Sequence, residues 1–247
     1  MDDLILGAAR DLAKSRLTVA LTGAGISVES GIPPFRGKGG LWERFDPMEY
    51  ASIDALKHDP AKVWRVLIGE MKKVMENAQP NNAHKGLARL ESMGLLSTII
   101  TQNVDGLHQA AGSKDVIEFH GNFVWEYCMD CGKRIPTRDL SMESLPPRCS
   151  CGGFFRPDCV FFGEMIPHEA LSRSTSLAEK CGCMLVVGTS AVVEPAASMA
   201  RIAKACGARV IEINLAPTPL TRNVSDTSIF GNAGEVLLKL VEACERI

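Results

Sequence analysis

The chain has 247 residues, of which 46% are hydrophobic and 23% charged, and its formal net charge is −2. This length accommodates one substantial core with a small satellite, and the charge excludes broad electrostatic binding of nucleic acid. No signal-peptide pattern and no run of ~20 apolar residues is present. Because nine cysteines without an export signal are typical of a reducing compartment, we expect a cytoplasmic protein.

A glycine-rich loop follows the first predicted strand, 16–21. Residues 22–36 read TGAGISVESGIPPFR, with glycines at 23, 25 and 31. Glycines at such a turn let the backbone approach a pyrophosphate. The usual dehydrogenase fingerprint has a third glycine at the position that Val28 occupies here. The stretch therefore predicts a nucleotide-binding loop that differs from an ordinary dehydrogenase loop.

Strand-like and helical patterns alternate along the rest of the chain. The alternation predicts an α/β fold, with a doubly wound, Rossmann-like parallel sheet of about six strands. Further strands are expected at 95–101, 116–119, 183–188, 208–214 and 227–230, and helices at 2–15, 82–92, 168–180, 195–206 and 232–246.

Two stretches interrupt this alternation and predict a smaller lobe. Residues 37–79 are helical in pattern, and residues 121–164 are rich in cysteine, proline and glycine. We therefore expect a discontinuous nucleotide-binding domain, with a helical module at 37–79 and a cysteine-rich module at 121–164 forming the small domain. The large domain would comprise 1–36, 80–120 and 165–247.

Polar residues follow four of the predicted strands. They are Gln102, Asn103 and Asp105, then His120, then Thr189 and Ser190, then Asn214. Capping of a following helix explains any one of them alone. The carboxyl ends of parallel strands lie at one edge of a sheet. Because polar residues follow four of the strands at that edge, we expect them to line one ligand crevice.

Four cysteines within 24 residues predict a metal site. Cys128 and Cys131 form one closely spaced pair, and Cys149 and Cys151 form a second. Two such pairs suit one tetrahedral zinc ion, and four sulfur ligands leave no open position for water, so the zinc would be structural. The second pair is one residue shorter than usual, which leaves Cys159 as an alternative ligand.

Several motifs together resemble the sirtuin family of NAD-dependent protein deacylases, and the resemblance covers residues 23 to about 233. The motifs are GAGISVESGIPPFR at 23–36, TQNVDGLH at 101–108, FHG at 119–121, the four cysteines, RPDCVFFGE at 156–164, GTS at 188–190 and INL at 213–215. The resemblance implies transfer of an acetyl group from modified lysine to ADP-ribose, with release of nicotinamide, O-acetyl-ADP-ribose and deacetylated protein.

The resemblance also implies the roles of individual residues. His120 would be the catalytic base and Asn103 would orient the ribose. NAD, which is consumed as a co-substrate, would contact Gly23, Ala24, Gly25, Ser27, Phe35, Arg36, Gln102, Asn103, Asp105, Gly188, Thr189, Ser190, Asn214, Leu215 and Ala233. An acetyl-lysine protein or peptide would lie between Val160, Phe161, Phe162, Gly163 and Glu164 on one side and Val193 and Glu194 on the other.

Two positions depart from patterns seen in the family. Pro34 stands where the family usually has an acid, which removes one N–H group from the loop. Leu67 and Glu70 align with the tyrosine and arginine of members that prefer succinyl or malonyl groups. Because neither side chain is cationic, we expect acetyl or longer apolar acyl substrates.

Two other functions remain compatible with these motifs. Mono-ADP-ribosyl transfer would use the same NAD site, and a zinc ribbon could belong to a nucleic-acid-binding regulator. The charge balance does not favour nucleic acid or membrane as a partner.

Overall fold

The large sheet of the protein is parallel and has six strands. The computed structural model describes residues 1–37 and 39–247; residue 38, inside the predicted helical module, lies outside the described residues. The strands are β1 Thr18–Thr22, β2 Thr98–Thr101, β3 Val116–Glu118, β7 Cys183–Val187, β8 Arg209–Asn214 and β9 Thr227–Phe230. Their order in the sheet, β3-β2-β1-β7-β8-β9, is that of a doubly wound nucleotide-binding sheet. The predicted fold class and all six predicted strands are confirmed.

Helices cover both faces of this sheet. Helices α1 (Asp2–Lys14), α7 (Asn82–Ser92) and α12 (Ala233–Glu245) enclose one apolar core, and α9 (His168–Lys180) and α10 (Ser198–Ala205) enclose the other. The central strands are therefore buried on both sides, which explains their continuous apolar sequences. In β1, Ala20 belongs to the first core, whereas Val19 and Leu21 belong to the second. Two short helices, α8 (Leu107–Ala110) and α11 (Leu220–Asn223), follow β2 and β8.

The two predicted insertions form an additional helical segment and a second sheet. The sheet is antiparallel, in the order β5-β4-β6, with β4 Gly121–Cys128, β5 Arg134–Pro136 and β6 Phe155–Cys159. The helices are α2 Leu41–Arg44, α3 Pro47–Tyr50, α4 Ile53–His58, α5 Pro60–Val63 and α6 Gly69–Glu76. The division of the chain into a large and a small domain, with the residue ranges given above, stays a prediction.

Buried polar contacts join the helical insertion to the second sheet. Lys72 of α6 donates a 2.5 Å hydrogen bond to the carboxylate of Glu126 on β4, and that carboxylate is completely buried. The indole N–H group of Trp64 donates to the carbonyl of Phe155 on β6, at 2.9 Å. Trp64 lies in a π-helical turn, Trp64–Ile68, that connects α5 to α6. The two insertions therefore share one interface.

None of the helices in residues 1–37 and 39–247 combines the length and the hydrophobicity needed to cross a bilayer.

Candidate active site

The glycine loop lies at the carboxyl end of β1, against the end of β7. Gly25 donates its N–H group to the carbonyl of Gly188 at 2.7 Å, and a Cβ atom on Gly25 would lie 2.7 Å from that same oxygen. A Cβ atom on Gly23 would lie 2.7 Å from Cβ of Thr189. Gly188 has a φ of +61°, a conformation that glycine adopts without strain. These glycines are thus required by close packing between two strand ends.

A network of polar side chains connects the glycine loop to the end of β2. The hydroxyl group of Ser27 donates to Asp105 Oδ2 at 2.7 Å and accepts from the amide of Asn103 at 3.1 Å. Asn103 also donates to the carbonyl of Gly23, at 3.2 Å. Ser27 and Asn103 are buried. The structure therefore brings together four residues that the sequence analysis assigned to NAD.

Two buried histidines, neither of which was predicted to be a site residue, extend this network. His84 Nδ1 lies 3.3 Å from the backbone nitrogen of Asn81 and 3.1 Å from its side-chain Oδ1, and His84 Nε2 lies 3.4 Å from the Ser27 hydroxyl oxygen. His108 Nε2 lies 2.9 Å from the Thr22 hydroxyl oxygen, and its Nδ1 atom is buried with no hydrogen-bond partner among the described residues. The two rings meet edge to face, with centroids 4.9 Å apart.

Burial keeps both imidazoles neutral. Desolvation lowers the pKa of His84 to about 4, against an opposing effect of the Asp105 carboxylate. Desolvation and, to a smaller extent, the neighbouring His84 together lower the pKa of His108 to about 3. Both histidines lie in helices, and their contacts join positions 57 and 86 residues apart, so no local sequence pattern signals this burial.

His120 follows β3 and has one ring nitrogen available as a base. Its Nδ1 lies 3.1 Å from the carbonyl oxygen of Gln102. Because a carbonyl only accepts, Nδ1 of the neutral ring carries the proton, and Nε2 keeps its lone pair. Burial is the main cause of a lowered His120 pKa, and the bond to Gln102 opposes it. A neutral ring with a free Nε2 is the form that a general base needs at neutral pH.

The backbone after His120 passes very close to β6. Gly121 has a φ of +71°, and a Cβ atom there would lie 2.1 Å from the carbonyl oxygen of Asp158, so only glycine fits. Val160 donates its N–H group to the carbonyl of His120 at 2.9 Å. A backbone hydrogen bond therefore connects His120, the candidate base, to the segment that is predicted to bind substrate.

The polar residues after β7 and β8 meet those after β2. The side-chain amide of Gln102 donates to the Thr189 hydroxyl oxygen at 3.0 Å, and Asn214 donates to the Thr189 carbonyl at 2.7 Å. Ala191, two residues further along, has a positive φ of 52°, which is unusual for a residue other than glycine. The ends of β2, β7 and β8 thus converge at one edge of the sheet, as expected for a ligand crevice.

Residues 160–164, which we call the substrate turn, connect β6 to the region before α9. Phe162 donates its N–H group to the carbonyl of Ala51 at 2.8 Å, and Ile53 donates to the carbonyl of Phe162 at 2.9 Å. The Glu164 carboxylate is bound by the guanidinium of Arg156. Glu194, predicted to lie opposite, accepts from Ser198 at 2.6 Å and from Arg201.

Aromatic side chains join the glycine loop to the substrate turn. The rings of Phe35 and Trp42 are stacked with centroids 5.3 Å apart, and Trp42 meets Phe162 at 6.2 Å. Leu67 and Val104 belong to the same apolar cluster. The predicted NAD and substrate walls are therefore continuous with one another.

The remaining predicted residues lie around these groups. Ala233 is buried at the start of α12, where Glu29 of the glycine loop accepts the N–H group of Gly234 at 2.9 Å. Ala24, Pro34 and Val193 are half-buried, and Arg36, Ser190, Glu194 and Leu215 are exposed.

The four predicted cysteine ligands form one cluster beside the second sheet. Their sulfur atoms all lie within 4.8 Å of one another, with Cys128 and Cys151 at 3.5 Å and Cys131 and Cys149 at 3.8 Å. Tetrahedral zinc with Zn–S bonds of about 2.3 Å requires sulfur separations of about 3.8 Å. The donor set and its spacing fit zinc.

Cys159 lies outside this cluster, at the end of β6, and its burial raises the pKa of its thiol to about 12. The alternative in which Cys159 replaces a zinc ligand is therefore not seen.

Comparisons with known proteins agree with this architecture. A sequence model of the Sir2 family matches residues 23–195. The chain is 51% identical over 236 residues to "NAD-dependent protein deacylase 2" of Pyrobaculum aerophilum, covering 95% of this chain and 94% of that protein. A mutant Sir2 homologue in complex with ADP-ribose superposes with a TM-score of 0.93 at 44% identity, covering 97% and 96% of the two chains. A Sir2–p53 peptide–NAD⁺ complex gives 0.89 at 37% identity, covering 98% of each. The chain belongs to the Sir2 family.

Proposed function

We propose that this protein is an NAD-dependent protein lysine deacetylase. The acetyl group of N6-acetyl-lysine is transferred to ADP-ribose, and nicotinamide, O-acetyl-ADP-ribose and deacetylated protein are released. The observation that carries the proposal is the position of His120. The Nε2 atom of its ring keeps a lone pair at the edge of the sheet where the ends of β2, β7 and β8 meet. Its backbone carbonyl accepts a hydrogen bond from the N–H group of Val160 in the substrate turn.

The residues at this edge fit NAD. Neutral and acidic hydrogen-bonding groups of Gln102, Asn103 and Asp105 stand beside the glycine loop, and Thr189 and Asn214 lie at the neighbouring strand ends. Bound NAD supplies the ADP-ribose that accepts the acetyl group as nicotinamide leaves. Asp105, whose carboxylate is held by Ser27, would bind the carboxamide, and Asn103 would orient the ribose.

His120 would take a proton from a ribose hydroxyl group at Nε2. The hydrogen bond from Nδ1 to Gln102 holds the ring in the tautomer that this step requires. Phe35 would exclude water from the reacting carbon, and its stacking on Trp42 fixes the ring that does so.

The acetyl-lysine substrate would lie between the substrate turn and residues 193–194. An acylated lysine is neutral, so it enters an apolar passage without the cost of burying an ammonium group. Val160, Phe161, Phe162 and Gly163 would form one wall, and Val193 would lie opposite. Leu67 is buried in the apolar cluster and Glu70 carries a negative charge, which supports a preference for acetyl or longer apolar groups over anionic ones.

The zinc ion would be structural. Cys128, Cys131, Cys149 and Cys151 supply four thiolate ligands, which leaves no position for a reacting water.

We also propose that the protein acts in the cytoplasm on other proteins. The thiols outside the zinc cluster support this location, because free thiols are typical of a reducing compartment.

The reaction is tested by incubating the protein with NAD and an acetyl-lysine peptide and following nicotinamide and the peptide mass. We expect equal amounts of nicotinamide and deacetylated peptide. His120→Ala should reduce kcat by about 10²- to 10⁴-fold, whereas His58→Ala, at an exposed helix end, should not change it. No loss of 42 Da from the peptide with the wild type, or transfer of ADP-ribose to the peptide instead, would refute the proposal.

A further inference from the structure

Arg156 lies on β6, immediately before the substrate turn, and its side chain is almost completely buried, with 1% exposed. Its guanidinium lies over the rings of Tyr127, at 5.0 Å, and Phe161, at 4.5 Å. A buried guanidinium requires a partner, and the partner here is Glu164.

The two side chains form a bidentate pair across the turn. Arg156 donates from Nη1 to Glu164 Oε1 at 2.6 Å and from Nη2 to Oε2 at 2.9 Å. Arg156 also donates to the carbonyls of Pro157, at 3.2 Å, and Cys159. Paired guanidinium and carboxylate groups fix both distance and orientation.

The Glu164 carboxylate also forms a hydrogen bond within the turn. Its Oε2 atom accepts the backbone N–H group of Phe161 at 2.9 Å, and the N–H group of Glu164 donates to the carbonyl of Phe161 at 3.0 Å. Both oxygens of the Glu164 carboxylate therefore accept hydrogen bonds from within the protein.

Backbone groups of the same turn form hydrogen bonds to neighbouring parts of the candidate active site. Val160 is bonded to the carbonyl of His120, and Phe162 is bonded on both sides to residues 51 and 53. A change in the path of the turn therefore moves the predicted peptide wall, while the strand ends that bind NAD keep their own contacts with the glycine loop.

We propose that Arg156 and Glu164 are positioning residues for the peptide substrate: the buried pair sets the shape of the substrate turn and thereby the affinity for acetyl-lysine peptide. This inference rests on the proposed deacetylase function, and it concerns the peptide KM more than kcat or the KM for NAD.

The test uses Glu164→Gln, which keeps the size of the side chain, and Glu164→Ala, which removes it. Arg173→Met is the control for loss of a surface ion pair, because Arg173 forms a solvent-exposed pair with Asp115, at 2.6 Å, away from the turn. Steady-state kinetics give KM for peptide, KM for NAD and kcat. Amide hydrogen exchange at Val160 and Phe162 reports the turn without requiring turnover.

We expect Glu164→Ala to raise the peptide KM by up to about 10²-fold, the scale of loss when a positioned group is displaced by about 1 Å, with a smaller change in kcat and in the KM for NAD. Glu164→Gln should give an intermediate increase, and Arg173→Met should leave all three constants near wild type. Exchange at Val160 and Phe162 should accelerate by roughly ten-fold or more in Glu164→Ala.

An unchanged peptide KM in both Glu164 variants, or unchanged amide exchange at the turn, would overturn the inference. A fall in kcat with constant peptide KM would do the same. If the wild type fails to deacetylate any peptide, the proposed function fails, and the exchange measurement still decides whether the pair shapes the turn.

Discussion

The hydroxyl group of Ser27 donates a 2.7 Å hydrogen bond to the carboxylate of Asp105, although 78 residues separate them along the chain. Ser27 lies in the glycine loop and Asp105 follows β2. The bond therefore connects the glycine loop to the Asp105 carboxylate, the group that is proposed to bind the carboxamide of NAD.

We expect Ser27→Ala to lower kcat/KM for NAD by roughly ten- to a hundred-fold. The bond to a charged group contributes about 1.5–3 kcal/mol, and each 1.36 kcal/mol is a factor of about ten. Thr98→Val is the control, because Thr98 donates an equal 2.7 Å bond to Asp115 at the other end of β2. Equal losses of NAD efficiency in the two variants would contradict the role of Ser27.

The pH dependence of the reaction should reflect the lowered pKa of His120. Burial disfavours the imidazolium, so the ring stays neutral as pH falls to 6.5, its ordinary pKa. We expect the acidic limb of kcat/KM for peptide to lie below pH 6.5. The profile is measured with initial rates while circular dichroism verifies that the protein is folded. A limb centred above pH 7 would be incompatible with a buried base.

Protein stability should decrease at acid pH because of His84 and His108. The unfolded chain binds protons at these rings below about pH 6.5, whereas the folded protein does so only near pH 4 and pH 3, respectively. Their contribution is complete above pH 6.5 and is lost as pH falls. Between pH 6.5 and 5, protonation of each ring in the unfolded chain should lower the unfolding free energy by about 1.6 kcal/mol.

His108→Gln isolates one of these contributions, since glutamine can still donate to Thr22. Urea unfolding at pH 7 and pH 5 should show a smaller loss of stability than in the wild type. His58→Gln, at an exposed site, should keep the wild-type loss. A His108→Gln variant with the same pH dependence as the wild type would contradict the buried neutral ring.

The buried pair of Lys72 and Glu126 should be a point of large mutational sensitivity. Lys72→Met leaves a carboxylate that is completely buried without its cation, and one of its oxygens already has no hydrogen-bond partner among the described residues. Removing one partner of a buried pair costs about 3–5 kcal/mol, which urea unfolding would measure.

The double variant Lys72→Met/Glu126→Gln should recover most of that loss, because the amide is neutral and keeps the bond from Thr137. Lys62→Met is the exposed control, since Lys62 pairs with Glu49 at the surface, and it should change stability little. Equal instability of the single and double variants would show that packing, rather than charge, is responsible.

Zinc removal should destabilise the second sheet. Cys131→Ser removes one of four ligands, so we expect the bound zinc to fall from one equivalent towards zero and the melting temperature to decrease. Cys206→Ser, at an exposed thiol outside the cluster, should keep both values. Zinc content is measured by atomic absorption. A full equivalent of zinc in Cys131→Ser would refute the four-cysteine site.

The large sheet was predictable because its strands carry continuous apolar runs. The 183–188 and 227–230 runs coincide with β7 and β9 to within one residue. The predicted helix at 195–206 begins later, at Ser198, since Pro195 and the two residues after it form turns instead. Convergence of polar residues at strand ends followed from the parallel topology alone.

The contacts that shape the site were not predictable in the same way. Ser27 and Asp105, or Lys72 and Glu126, are paired through the fold, and no local periodicity connects them. Glu164 was predicted to contact substrate on motif position, and its bond to Arg156 depends on the path of the turn. The burial of His108 likewise depends on packing from β1, at Thr22.

Strand β6 has the zinc cluster at one end and the substrate turn at the other. Phe155 is paired with the zinc ligand Cys128, Arg156 follows it, and Cys159 leads directly into the turn. Five residues of extended chain span only about 16 Å. If residues 160–164 bind the peptide as proposed, metal occupancy and peptide affinity are linked through one strand. We therefore expect preparations of this protein that differ in zinc content to differ in apparent peptide affinity, even when their NAD sites are intact.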